Sequence, residues 1–209
     1  GLPMTTPLQS YQRDLDQGLI RPDPAQALAV DALQRLFDQA VARENQPSGV
    51  LQRLKQRLGG SSLPPIRGLY IYGGVGRGKT YLMDTFFECL PFERKQRTHF
   101  HRFMQQVHSE LAQLKLQKNP LETVAASIAE RARVLCFDEF FVSDIGDAMI
   151  LGGLLEHLMA RGVVLVATSN IHPDGLYANG LQRERFLPAI RLLHEHTHIL
   201  ELDNGVDYR

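Results

Sequence analysis

Short apolar runs alternate with longer amphipathic stretches through most of the chain, and that alternation sets the first expectation for its fold. IRGLYIY (66–72), THFHRF (98–103), RVLCF (133–137), VVLVAT (163–168) and HILEL (198–202) are compact and apolar, and they read as five strands. Helical patterns separate them. GKTYLMDTFFECL (78–90) is closed by Pro91, and further helices are expected over 104–116, 143–161 and 188–195. Strands this apolar, alternating with helices, pair in parallel and are covered on both faces. The expected fold class is therefore α/β, a three-layer arrangement around a five-stranded parallel sheet. Upstream, Asp23-Pro24 followed by AQALAVDALQRLFDQAVARE reads as an N-cap, a proline in the first turn and an amphipathic helix. Leu28, Val30, Leu33, Leu36 and Phe37 make up its apolar face. A polar stretch ending in GGSSLPP (59–65) reads as a loop. This divides the chain into an N-terminal helical segment and linker, 1–65, and a core, 66–209. No internal repeat or low-complexity tract interrupts the pattern.

Composition narrows the picture without redirecting it. The apolar fraction is 44% and the charged fraction 22%, ordinary for one globular core in 209 residues. Lys plus Arg equals Asp plus Glu at 23 each, so no global field points to nucleic acid or a membrane surface, and nucleic acid is not the expected partner. Cys89 and Cys136 sit in apolar runs, which suits buried thiols in a reducing compartment better than a disulfide framework. No apolar run approaches the roughly 18 residues that span a bilayer, and no signal peptide opens the chain. The expected location is cytoplasmic.

Chemistry enters at GGVGRGKT, which fits G-x-x-x-x-G-K-[ST] at every fixed position. The loop follows a strand and opens a helix, the context a phosphate-binding loop needs. Gly73, Gly74, Val75, Gly76, Arg77, Gly78, Lys79 and Thr80 are the expected nucleotide contacts. Backbone N–H groups wrap the phosphates at the positive end of the helix. Lys79 bridges the β- and γ-phosphates, and the Thr80 hydroxyl takes a Mg²⁺ position. LCFDEFF then places two carboxylates at the carboxyl end of a buried strand, where such sheets bind ligands. Asp138 is expected to hold the metal and Glu139 to polarise the attacking water as general base. A glutamate directly after the magnesium aspartate favours an ATPase over a simple GTPase or a nucleotide kinase. In VVLVATSN, Asn170 lies beyond a third strand, within reach of water and γ-phosphate. In NGLQRERFLPAI, Arg183 and Arg185 precede the helix begun near Pro188 and are candidates for an arginine finger offered to a neighbouring subunit.

Other features are weaker. His194, His196 and His198 alternate, as do His99 and His101, but no further ligand completes a metal site. The basic run ERKQR (93–97) reads as a solvated turn.

Taken together, GGVGRGKT, HFHRFM, LCFDEFFVSDIGDAM, VVLVATSN and NGLQRERFLPAI resemble the ZapE family of AAA+-type ATPases, bacterial cell-division proteins with mitochondrial relatives. The resemblance covers 66–209 and, more loosely, the helix after Asp23. It implies a P-loop NTPase core, hydrolysis of ATP with Mg²⁺, and homo-oligomerisation through nucleotide-bearing interfaces. It further implies ATP-dependent action on a protein partner, the tubulin-like division protein FtsZ. By position it carries over the roles of Lys79, Thr80, Asp138, Glu139 and Asn170, makes Arg183 and Arg185 the finger candidates, and sets Gln26 near the adenine. AAA+-type proteins generally follow the fifth strand with a helical lid. Here GVDYR comes a few residues after HILEL, so a core without that lid is expected. The alternative left open is a nucleic-acid-associated ATPase of helicase-loader type using Arg94 to Phe103. A small-molecule kinase would need an acceptor pocket to which no residue points.

Overall fold

In a computed structural model, residues 4–46, 65–76 and 78–202 are described. The expectations for most of GGSSLPP, for Arg77 and for GVDYR fall outside them. Five strands, β1 (Gly68–Tyr72), β2 (Lys95–His99), β3 (Val134–Asp138), β4 (Val164–Ser169) and β5 (Thr197–Glu201), form one parallel sheet in the order β2-β3-β4-β1-β5. The helices are α1 (Pro7–Asp16), α2 (Pro24–Glu44), α3 (Lys79–Cys89), α4 (Phe100–Gln113), α5 (Pro120–Arg131), α6 (Ile145–Ala160) and α7 (Leu187–His196).

The three layers follow from the two-residue period of the strands. Leu69, Ile71, Val134, Cys136, Val164 and Val166 face one side and pack with α1, α2 and α3 around Phe37, Leu82 and Phe86. Tyr70, Leu135, Phe137, Leu165 and Ala167 face the other and pack with α4 to α7 around Phe100, Phe140 and Phe186. Because both faces are covered, the central strands carry no polar face, and each reads as a continuous apolar run. Both N-terminal helices share a core with β1 and α3.

Helix α2 begins as expected: the Asp23 carboxylate accepts from the Ala25 N–H at 3.0 Å, and Pro24 opens the helix. Leu28, assigned to its apolar face, is instead 63% exposed, because the buried stripe runs through Ala29, Val30, Leu33, Leu36, Phe37 and Ala40.

Several expectations at the sheet edge need correction. The strand expected at 98–103 is β2 at Lys95–His99, and Phe100 already starts α4. Phe100, Phe103, Met104 and Val107 are all buried, a helical spacing that a short view of THFHRF disguises as alternation. Lys95, Gln96 and Arg97 are therefore not turn residues. β2 pairs only with β3, and such an edge strand tolerates charged side chains. The alternating histidines share no strand face: His194 and His196 lie in α7, His198 in β5 and His101 in α4. Two helices had no counterpart in the sequence reading, α1 and α5. No helix among the described residues is long and apolar enough to cross a membrane.

Candidate active site

The carboxyl ends of β1, β3 and β4 open into one cleft of about 450 Å³. Its lining brings together Val75, Gly76, Gly78, Lys79, Thr80, Asp138, Glu139 and Asn170, eight of the residues singled out in the sequence, and adds Arg97, His99, Thr168 and Ser169.

The loop after β1 is held at its root, where the Gly73 N–H donates to the Ser169 carbonyl at 3.1 Å. Gly76 and Gly78 have φ of +80° and +83°, a region that L side chains enter only with strain. Gly78 caps α3 without any side-chain hydrogen bond, so the N–H groups of the first turn of α3 are not satisfied by a cap. Lys79 lies back across the loop and donates from Nζ to the Gly73 and Gly74 carbonyls, both at 2.8 Å. Gln26 is buried against the same turn: a Cβ built on Gly78 would fall 2.7 Å from its Nε2. The N-terminal helix α2 thus reaches the phosphate loop.

The acidic pair stands at the end of β3. Asp138 is the last strand residue, and Glu139 turns out of the sheet in the left-handed region with φ of +55°. The next strand fixes that turn. Phe140 N–H donates to the Thr168 carbonyl at 2.7 Å, and the buried Ser169 hydroxyl donates to the Phe140 carbonyl at 2.7 Å. The consequence is chemical separation of two adjacent carboxylates. Glu139 is 80% exposed at its side chain and projects into the cleft, whereas Asp138 is 14% exposed. Glu139 Oε2 lies 3.8 Å from His99 Nδ1.

Asp138 has a partner the sequence did not reveal. Arg97 Nε donates to Oδ2 at 2.7 Å and Nη2 to Oδ1 at 3.0 Å, a two-pronged pair. Nη1 pairs with Asp84 on α3. Hydrogen bonding to Asp138, strengthened by Asp84, holds the Arg97 proton more tightly than in an ordinary arginine despite partial burial. One signal was available. Arg97 and His99 are two apart on a strand, so both turn toward one face, and the end of β3 lies beside them.

The donors suit a magnesium–nucleotide pair. Thr80 and Asp138 supply hard oxygens from two elements in one cleft, and each Asp138 oxygen keeps a lone pair beyond the Arg97 bonds. The uncapped start of α3 supplies N–H groups for phosphate.

Arg183 and Arg185 form a separate 3₁₀ turn ahead of α7 and do not line this cleft. Arg183 is engaged locally, donating to the Asp174 carbonyl at 2.6 Å and to Leu176 at 3.3 Å. Arg185 is exposed and donates to the neighbouring Gln182 Oε1 at 3.0 Å.

The family model for AFG1-like ATPases matches residues 5–209. The chain belongs to the AFG1-like ATPase family. It is similar to the cell division protein ZapE of Escherichia coli strain K12, with 51% identity over 98% of this chain and 56% of that protein. It is also 42% identical to lactation elevated protein 1 homolog B of Danio rerio, over 91% of this chain and 41% of that protein. The chain thus spans about half the length of the curated relatives it matches. Among solved structures, DnaI superposes with a TM-score of 0.58 at 16% identity, covering 87% of each chain. AMPPCP-bound DnaA from Aquifex aeolicus gives 0.57 at 16%, covering 87% of this chain and 48% of that one. At those identities the likeness is one of fold, and the fold is that of a P-loop NTPase.

Proposed function

We propose that this chain forms the ATP-hydrolysing core of a machine that remodels a protein partner, and that the partner is the division protein FtsZ. The observation that carries the reading is the single cleft in which the phosphate loop, Asp138, the exposed Glu139 and Asn170 meet. Mg²⁺ held through Thr80 and Asp138 would neutralise charge developing on the transferred phosphoryl group. The chain's own residues do the rest. The start of α3 and Lys79 bind the phosphates. Glu139, solvent-facing and free of the Arg97 fork, takes the proton of the attacking water. Asn170 orients that water.

Catalysis is completed by a second copy, whose Arg185 supplies the finger. Arg185 is favoured over Arg183 because it is exposed and bonds only a neighbouring flexible amide, while Arg183 is occupied by the backbone it braces. The cell-division assignment of a relative at 51% identity supports the choice of partner.

Light scattering by FtsZ polymers, followed together with phosphate release, tests the proposal. Polymers should shrink with ATP and the wild-type protein, and persist with Glu139→Gln. Polymers indifferent to the active ATPase would remove FtsZ from the reading. Phosphate release that rises with DNA and falls steeply with salt would replace it with the helicase-loader class.

A further inference from the structure

All three nitrogens of the Arg97 guanidinium donate to carboxylates, and those carboxylates come from two different elements. Asp138 ends β3, and Asp84 lies one turn beyond Thr80 on α3. Arg97 itself comes from β2 and is 20% exposed at its side chain. The two oxygen donors expected to share a metal, Thr80 and Asp138, are 58 positions apart in sequence and belong to two different elements, α3 and β3. Arg97 is the charged tie between those elements.

We propose that Arg97 is a positioning residue for the metal site, a strut that fixes the carboxylate of Asp138 relative to the helix carrying Thr80. The inference rests on reading Thr80 and Asp138 as the Mg²⁺ ligands. A carboxylate gripped at both oxygens cannot rotate about its terminal bond, and its remaining lone pairs point in fixed directions. Take the guanidinium away and two carboxylates, Asp84 and Asp138, face a position with no cation between them. Their repulsion drives them apart, and that displacement spoils a metal donor. Lysine would return the charge without the fork.

The test is binding of a fluorescent ATP analogue in excess EDTA and across a Mg²⁺ titration, for wild type, Arg97→Met, Arg97→Lys and Asp84→Asn, with unfolding curves confirming that each variant is folded. The wild type should gain affinity with Mg²⁺. Arg97→Met should lose about tenfold or more of that gain, as outer-shell partners of metal ligands do, a loss in Mg²⁺ well beyond whatever the missing charge costs in EDTA. Arg97→Lys should recover part of the gain, and Asp84→Asn should fall between. A gain in Arg97→Met equal to or above the wild type overturns the inference. So does an equal loss in EDTA and in Mg²⁺, which is the mark of a general packing role. If Arg97→Met does not fold, Asp84→Asn decides, since that side chain is 47% exposed, and a normal gain there overturns the strut. A wild type that binds the analogue without any response to Mg²⁺ overturns the magnesium reading and this inference with it, whereas a response lost in none of the variants overturns the inference alone.

Discussion

Replacing Gly68 by alanine adds one methyl group at the start of β1, the strand that lies between β4 and β5 and carries the phosphate loop. Propensity argues that the change helps, since alanine loses less backbone freedom on folding and gains about 0.4–1 kcal/mol through the unfolded state. The structure argues the reverse. A Cβ at Gly68 would stand 1.7 Å from the Leu165 carbonyl oxygen and 3.1 Å from the Leu165 backbone nitrogen. Ordinary contact lies near 3.5 Å, so β1 and β4 must part locally by about 1.5–2 Å. Parting by that much releases about two ladder hydrogen bonds, at about 1 kcal/mol each. Overpacking strain adds about 1–3 kcal/mol. After the unfolded-state gain is subtracted, the expected loss is about 3 kcal/mol, or about 6–12 °C of melting temperature for a domain of this size.

The control is Gly18→Ala. Gly18 has φ of +71°, and an added Cβ there meets nothing within 4 Å. It should suffer only the left-handed penalty of about 1–2 kcal/mol. Thermal unfolding followed by circular dichroism, with urea titration alongside, ranks the two variants. Gly68→Ala melting with the wild type, or above Gly18→Ala, would refute the claim that backbone approach decides this position.

Three further outcomes are expected. Lys79→Ala should abolish nucleotide binding, whereas Glu139→Gln should bind normally and slow phosphate release by a factor on the order of 10² to 10⁴, the range for loss of a general base; normal turnover in Glu139→Gln would remove the base assignment. The Tyr81 hydroxyl donates to Asp14 at 2.5 Å, and burial together with that bond raises its pKa from 10.0 to about 12. A raised folded pKa means that the stability it adds is whole below pH 10 and is lost as pH climbs through about 12, so Tyr81→Phe should flatten part of the alkaline fall in a pH series of urea midpoints. Burial pushes the Cys136 thiol up to about 12 and also raises Cys89, so a thiol reagent at neutral pH should leave Cys136 unmodified until the protein unfolds, while the half-buried Cys89 reacts slowly.

Local signals accounted for much of this molecule because the chemistry they report is local. Asp23-Pro24, the glycines before Lys79, and the apolar run ahead of Asp138 act on their immediate neighbours, and the corresponding elements lie within a residue or two of expectation. Helices α1 and α5 were equally legible. Thr6 and Gln9 form a reciprocal capping box, and Asn119-Pro120 opens α5 with a proline in its first turn. The polar composition of α1 hid its cap, whereas Asn119 makes no side-chain capping bond and α5 is marked by its proline alone. The error at β2 has a different cause, since three of its five residues are charged or amide-bearing and the strand exists because β3 pairs with it.

The alternation of strands and helices along the chain, and the positions at which the phosphate-loop pattern and the acidic pair fall in it, were legible in the sequence itself through periodicity and spacing; the order of the strands within the sheet was not. What the tertiary structure decided is which side chains meet across it. It set Arg97 between Asp84 and Asp138, Gln26 against Gly78, and Gly68 beneath the Leu165 carbonyl. It also turned Glu139 outward while Asp138 stayed in, a difference between neighbours that comes from one left-handed residue braced by β4. Such relations join residues tens of positions apart, and they arise only when the packing of separate elements brings their backbones within hydrogen-bonding distance.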